Sequence, residues 1–306
     1  MKKSMIALSV MALLGSGAAM AASPNVKGGT SSLAGVAVGS SNHIMFSGGN
    51  SGVALNGAGS YIDLAGGPIK GSNTAIAARG NGGILKATDM GLPLPIDVAQ
   101  VWKASATQGT SKFVINSVRQ ITTLSFAPQF GGLVIGQVAN ASGVPLAVGS
   151  GVYFGEWAPR AAGTPPSNST NLNMGSSDRT VWYVGDNATT NMPTLSNATY
   201  NVIGIQGVGT ASDNLPTAPK LYGGTLTANY NGSNGTLTGS ITNGTSTVNF
   251  NPGGVATTFT AASQGKFTHT NGTIEGQFYN NASALAGIYK GGTAASNVAF
   301  GGSRSN

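Results

Sequence analysis

The chain has 306 residues, with 15 Lys and Arg against 8 Asp and Glu, a formal net charge of +7, two His and no Cys. The lack of Cys excludes disulfides, thiolate metal sites, cysteine nucleophiles and the lipidated cysteine of a surface lipoprotein. The basic excess is spread thinly after Lys2-Lys3, which argues against a nucleic-acid partner because such binding needs clustered Lys and Arg.

Charged residues are 8%, hydrophobic residues 40%, and 48 residues are Gly. This composition suits a tightly turned β protein with Thr and Asn facing outward, not a disordered chain. Residues 1–21 read as a signal peptide. Lys2 and Lys3 form the basic region, residues 5–14 the apolar core, and Ala19-Met20-Ala21 the small-residue cleavage site. The apolar run is too short to span a bilayer, so the protein is expected to be exported through the periplasm and released, with no membrane span and no lipid anchor.

Residues 22–34 are small and polar and read as a leader. Short strands are expected at 36–39, 43–46, 53–55 and 61–64, separated by Ser-Asn, Gly-Gly-Asn and Asn-Gly turn signals. Residues 69–84 show no clear period. Val98, Val101 and Trp102 recur at helical spacing, with Pro95 and Asp97 at the N-terminal end, and predict a helix over 95–104. Residues 112–126 read as two strands and 133–138 as another. The Pro-containing loop at 140–149 marks the expected boundary between an N-terminal domain (22–150) and a C-terminal one (151–306).

Strands of the second domain are expected at 152–157, 180–185, 199–207, 221–230, 235–242 and 246–250. Three more follow at 266–270, 273–279 and 284–290, and a closing run at 297–300. Asn271-Gly272 is a tight-hairpin signal, because both turn residues must tolerate positive φ. Closing these strands into an antiparallel barrel removes exposed edges. The loop at 160–179, with Pro165-Pro166, is a candidate for partner contact.

The chain is poor in catalytic groups. Its carboxylates are Asp63, Asp89, Asp97, Glu156, Asp178, Asp186, Asp213 and Glu275, and its histidines are His43 and His269. No nucleophile elbow, paired carboxylates or metal-ligand spacing appears, so no enzymatic activity is expected. Asp178 and Asp186 lack the loop pattern of a hard-cation site. Gly80-Asn81-Gly82-Gly83 lacks the Lys of a phosphate loop and reads as a turn. His269 is expected as an exposed strand residue, and Trp102, Trp157 and Trp182 as core or interface aromatics. Glu275 is expected outward, or paired with Lys266 or Lys290.

The stretch NGTIEGQFYNNASALAGIYKG (residues 271–291) and the terminal VAFGGSR (298–304) resemble the end of the β-barrel of the transferrin-binding-protein-B type. Secreted hemophilins share that barrel and leave the cell through a Slam outer-membrane translocator (type XI secretion). The resemblance implies a mostly β protein with a β-rich N-terminal ligand-binding domain followed by a C-terminal barrel of about eight strands. It further implies a hemophore that binds haem in its N-terminal part and delivers it to an outer-membrane receptor. His43, in SSNHIMFSGG, is then the candidate ligand of haem iron, with Ile44, Met45 and Phe46 as apolar contacts. Tyr61 is a candidate second axial ligand, and Met45 a weaker one. Lys70, Arg79 and Lys86 are candidates to pair with the propionates. The alternative is an effector of the same secretion class that engages host factors and carries no haem.

Overall fold

The computed structural model describes residues 25–122, 129–161, 169–208 and 221–305. The expected signal peptide, residues 123–126 of the expected strand pair and residues 162–168 of the long loop lie outside these.

In chain order, β1 (Lys27–Thr30) precedes β2 (Val36–Asn42), β3 (Ser47–Leu55) and β4 (Ile62–Asp63). The helix α1 (Lys70–Arg79) leads into β5 (Gly83–Lys86), β6 (Asp97–Gln108), β7 (Ser111–Gln120) and β8 (Gly132–Ala139). Two further strands are β9 (Val152–Ala158) and β10 (Thr180–Gly185). Then come β11 (Leu195–Ile205), β12 (Leu221–Tyr230), β13 (Asn234–Thr242), β14 (Thr247–Asn249) and β15 (Thr257–Thr260). The chain ends with β16 (Lys266–Thr268), β17 (Ile274–Tyr279), β18 (Ala284–Tyr289) and β19 (Val298–Arg304).

These strands make three bodies. A seven-stranded antiparallel sheet runs β1-β10-β9-β8-β7-β6-β5, and β2-β3-β4 form a small sheet. The third body runs β12-β11-β19-β18-β17-β16-β15-β13 and returns through a β12–β13 ladder, so eight strands close into a barrel, with β14 beside β13. The chain is mostly β with an eight-stranded C-terminal barrel, as the sequence suggests.

The seven-stranded sheet is the middle layer. Residues of β9 alternate between its two faces. Val152 and Phe154 point with Val181 and Tyr183 toward Ala284, Ala286, Ile288 and Ala299 on the outer wall of the barrel. Tyr153 and Trp157 point the other way with Trp182 and Val184, toward Val36, Val53, Leu55 and Leu64 of the small-sheet layer. The barrel has its own interior, filled by Tyr200, Phe250, Phe259, Phe267, Phe278 and Phe300. There Phe278 meets Phe259 and Phe267 edge-on at 5.1 and 5.3 Å between ring centroids, a geometry worth about 0.5–1.5 kcal/mol per pair beyond area burial.

Several expectations are corrected here. The strands at 152–157 and 180–185 belong to the middle sheet, and the barrel begins at Leu195. The reason is burial. Every residue of β9 and β10 is buried, as a layer covered on both faces requires, whereas β12 alternates buried and open positions in barrel fashion. The expected helix at 95–104 is strand β6. It is paired with β7 from Ala99 to Gln108 and with β5 on its other edge, and these ladders override the local helical spacing. The helix lies instead at Lys70–Arg79, within the stretch that shows no clear period. Gly80, at φ 76°, stops it and donates its N–H to the Ile76 carbonyl. Residues 257–260 form a barrel strand that short Thr-rich spacing does not reveal.

His269 is also corrected. It is buried in the turn after β16, with Nδ1 at 2.6 Å from Asn271 Oδ1 and Nε2 at 3.0 Å from the Val255 carbonyl. The Asn271 side-chain oxygen and backbone N–H both meet the ring at Nδ1. Glu275 lies 3.7 Å from Lys290, as expected, and the three tryptophans are buried.

Two buried carboxylates tie the bodies together. Asp186, at the end of β10, accepts N–H groups from Ser51 (2.6 Å), Gly149 (2.9 Å) and Gly151 (3.1 Å), and so joins the small sheet to the middle sheet. Glu156, on the barrel side of β9, is paired with Arg179. It also accepts the N–H groups of Gly207 (2.8 Å) and Val208 (2.6 Å), just past the end of barrel strand β11. Arg179 in turn donates to the carbonyls of Ala294 and Asn297, before β19. Both side chains of the pair are fully buried. Burial pushes the Glu156 carboxyl up, while Arg179 and the two amides pull it down.

The contact between sheet and barrel also depends on Gly301. The Phe154 ring lies where a Gly301 side chain would stand, and its far edge packs on Gly136, whose Cβ would come within 2.7 Å of the ring. Gly301→Ala is therefore expected to lower stability by about 1–3 kcal/mol through overpacking, read as a lower urea midpoint. Gly59→Ala, where nothing lies within 4 Å, should stay within about 0.5 kcal/mol of the parent.

Candidate functional site

His43 sits at the tip of the β2–β3 hairpin, and local hydrogen bonds set its position. The N–H groups of Asn42 and His43 both donate to the Tyr61 carbonyl at 2.9 Å, and the Tyr61 N–H donates to Asn42 Oδ1 at 2.7 Å. The fold therefore brings His43 and Tyr61 together through their backbones. The Tyr61 ring faces Gly39, with a ring carbon 3.4 Å from where a Cβ would stand.

The His43 ring is buried, at 6% exposure. It stacks on Phe46, with centroids 5.6 Å apart and planes inclined by 22°. Its Nδ1 accepts the Met45 N–H at 3.2 Å. An accepting Nδ1 places the proton of the neutral ring on Nε2, whereas an iron ligand needs one ring nitrogen with a free lone pair. Axial ligation through Nε2 thus requires the other tautomer and the loss of the Met45 bond.

The flanking apolar residues divide. Phe46 packs against the core between the small sheet and the middle sheet, while Ile44 is 83% and Met45 40% exposed. Among the basic candidates, Arg79 is engaged by Asp89 through two hydrogen bonds of 2.8 and 2.9 Å, and it also donates to the Ile84 carbonyl. That pairing holds the Asp89 carboxyl below its ordinary value. Lys70 opens α1 and Lys86 ends β5, and both are exposed.

A second concave region lies at the seam between the middle sheet and the barrel. It is a cleft of about 490 Å³, lined from the sheet side by the turn after β1, Trp157 and the approach to β10, and from the barrel side by Lys290 and the loop before β19. Neither His43 nor Tyr61 lines it. No local sequence signal marks this cleft, because its walls are brought together by the docking of two bodies far apart in the chain. Among the described residues, no group of three or more His, Cys, Asp or Glu could hold a metal ion. No helix among them is long and apolar enough to cross a membrane.

With this geometry established, the comparisons with known proteins bear on the barrel. Residues 190–304 match the family model described as the HphA C-terminal domain. The barrel is similar to that domain. The match begins five residues before β11 and ends with β19, so it spans the barrel and leaves the sheet layers outside. A solved structure described as intact Ap-TbpB, with N and C lobes, is similar at 13% identity and a TM-score of 0.24. The likeness covers 68% of this chain and 46% of that one, so the chain spans less than half of that protein's length.

The His43 geometry gives a direct expectation. In the ligand-free protein, long-range ¹H–¹⁵N spectra should show the His43 proton on Nε2, with Nδ1 bare. A proton on Nδ1 would contradict the Met45 hydrogen bond.

Proposed function

We propose that the protein is a secreted, non-catalytic binding protein of the hemophilin kind, carrying haem outside the cell. The observation that supports this most is the match of its barrel to the HphA C-terminal domain over residues 190–304. On this reading the barrel is the part that a Slam-type translocator recognises during export. The layers before it carry the ligand and present it to an outer-membrane haem receptor. His43 would hold the iron, with Tyr61 beside it as a second ligand, and the exposed Ile44–Met45 tip would cover one porphyrin face. Haem would supply only the transported iron and its ring. The chain's own contribution is to bind, orient and shield it.

The His43 ring favours a second reading. It is stacked on Phe46 and accepts a hydrogen bond at Nδ1, an arrangement complete without a ligand. A barrel of this kind with no haem would serve an exported effector that engages host factors through its sheet layers.

A haemin titration of the mature protein beside His43→Ala, followed in the Soret region, separates the two. The hemophore reading expects a saturable one-to-one spectrum that is lost in the variant. Binding that survives the substitution moves the ligand elsewhere. No saturable spectrum at micromolar protein overturns the haem reading in favour of the effector.

A further inference from the structure

We propose that one end of the molecule docks on an anionic lipid bilayer, with the loop between β8 and β9 as its main prong. Strand register fixes which segments share this end. Lys27 faces Gly185, Gly185 faces Val152, and Lys112 faces Ala139. The β8–β9 loop, the end of β10 and the starts of β1 and β7 therefore lie together. In that loop Val144 is 57% and Val148 59% exposed. The loop is not loose. Asn140 Oδ1 accepts the N–H groups of Ser142 and Val144, each at 3.0 Å, and the Asn140 N–H donates to the Val144 carbonyl at 2.8 Å. Leu146 turns inward against the core between middle sheet and barrel, and Asp186 holds the Gly149 N–H. The backbone thus presents two valines outward, on either side of an anchored leucine.

The β2–β3 hairpin reaches the same end. Gly35 lies against Thr180, and Gly28, opposite Val184, lies against Val38, so β2 runs alongside β10 toward Gly185. Ser51 then meets Asp186, and the hairpin tip with exposed Ile44 and Met45 lies beyond it. Four of the seven large hydrophobic residues exposed among the described ones are thus at this end. Basic groups flank them. Lys27 and Arg304 are exposed and Lys112 half-buried. Arg304 lines a recess of about 300 Å³ together with Asn140 and Leu146, which puts it beside the valine loop. Among the described residues, no exposed carboxylate lies with them. Asp63 and Asp186 are buried on N–H donors. Asp89, Asp97 and Asp178 stand toward the opposite ends of β5, β6 and β10, and Glu275 faces Lys290.

Isolated exposed aliphatic residues are ordinary. Four at one end, beside three cations and no exposed acid, match an anionic bilayer: the apolar tips enter the interface while Lys and Arg meet the headgroups. A protein partner matches less well. Interface hot spots are mostly Trp, Tyr and Arg seated in pockets, and no Trp, Tyr or Phe is exposed among the described residues.

The surface is independent of the haem proposal, in which the valine loop takes no part. The test is co-sedimentation of the haem-free mature protein with vesicles of phosphatidylglycerol and phosphatidylcholine in about equal parts, with pure phosphatidylcholine as the neutral membrane. Saturable binding to the anionic vesicles is expected, weakened by salt, and at least about tenfold weaker on the neutral ones. Val144→Ser with Val148→Ser should weaken it by about tenfold, and Lys112→Gln with Arg304→Gln by a similar factor. Leu33→Ser with Leu94→Ser, which removes exposed apolar side chains from the opposite end, should bind like the parent. Circular dichroism checks that each variant is folded. The proposal is overturned by no co-sedimentation up to about 5 mM lipid, which covers binding as marginal as that of a single acyl chain; that result would leave this end to a protein partner. It is equally overturned if the valine variant binds like the parent, or if the opposite-end variant loses as much.

Discussion

The buried pair of Glu156 and Arg179 is the constraint on which the architecture turns. Taking each charge from water costs several kcal/mol, and only good geometry with further hydrogen bonds offsets it. Here those partners come from across the seam. Glu156 stands on the middle sheet and collects two amides just past barrel strand β11, and Arg179 caps carbonyls of the loop before β19. The charges are satisfied only when the barrel sits in one place on the sheet. The apolar contact around Phe154, Gly136 and Gly301 is less selective by itself, because apolar packing tolerates small slides. The ion pair thus fixes the register, and burial of the Ala- and Ile-lined barrel wall supplies most of the attraction.

The sequence revealed the barrel far better than the layers in front of it. Strand Leu221–Tyr230 carries two-residue alternation and ends at Asn231-Gly232, and Ile274–Tyr279 follows Asn271-Gly272, so local chemistry marks where these strands turn. The middle sheet lacks that signal. Apart from Glu156, VYFGEWA and TVWYVG are apolar on both faces, and a nearly even apolar run says that a strand is buried without saying in which sheet. At β6 the spacing of Val98, Val101 and Trp102 imitates a helix, and only the neighbours β5 and β7 decide otherwise. In α1, KGSNTAIAAR has almost no apolar face to betray it, since the helix buries mainly Gly71, Ser72 and Ala75.

The polar residues of the interior were the hardest to read. Asp186 resembles a surface or cation-binding carboxylate in sequence, yet it is compensated by three backbone amides contributed by distant segments. Arg179 lies at the end of a polar loop and ends up buried. His43 was singled out by type and position, and the structure adds what sequence lacks: the state of its two nitrogens and a stacking partner three residues on. The seam cleft is visible only after docking. The two features are separate: a hairpin end built from local bonds, and a cleft that exists because sheet and barrel are joined.

With the charge pair spanning the seam, sheet and barrel are expected to unfold as one cooperative unit. The tryptophans lie in β6, β9 and β10, all of the middle sheet, so their fluorescence follows that layer, while far-ultraviolet circular dichroism follows both bodies. The direct measurement is urea unfolding by both probes, for the parent and for Arg179→Met. Removing one partner of such a pair costs about 3–5 kcal/mol. Coincident transitions in the parent that separate in the variant, with the barrel signal outlasting fluorescence or the reverse, are the predicted result. Two transitions already present in the parent, or transitions that remain coincident and unmoved in the variant, would contradict it.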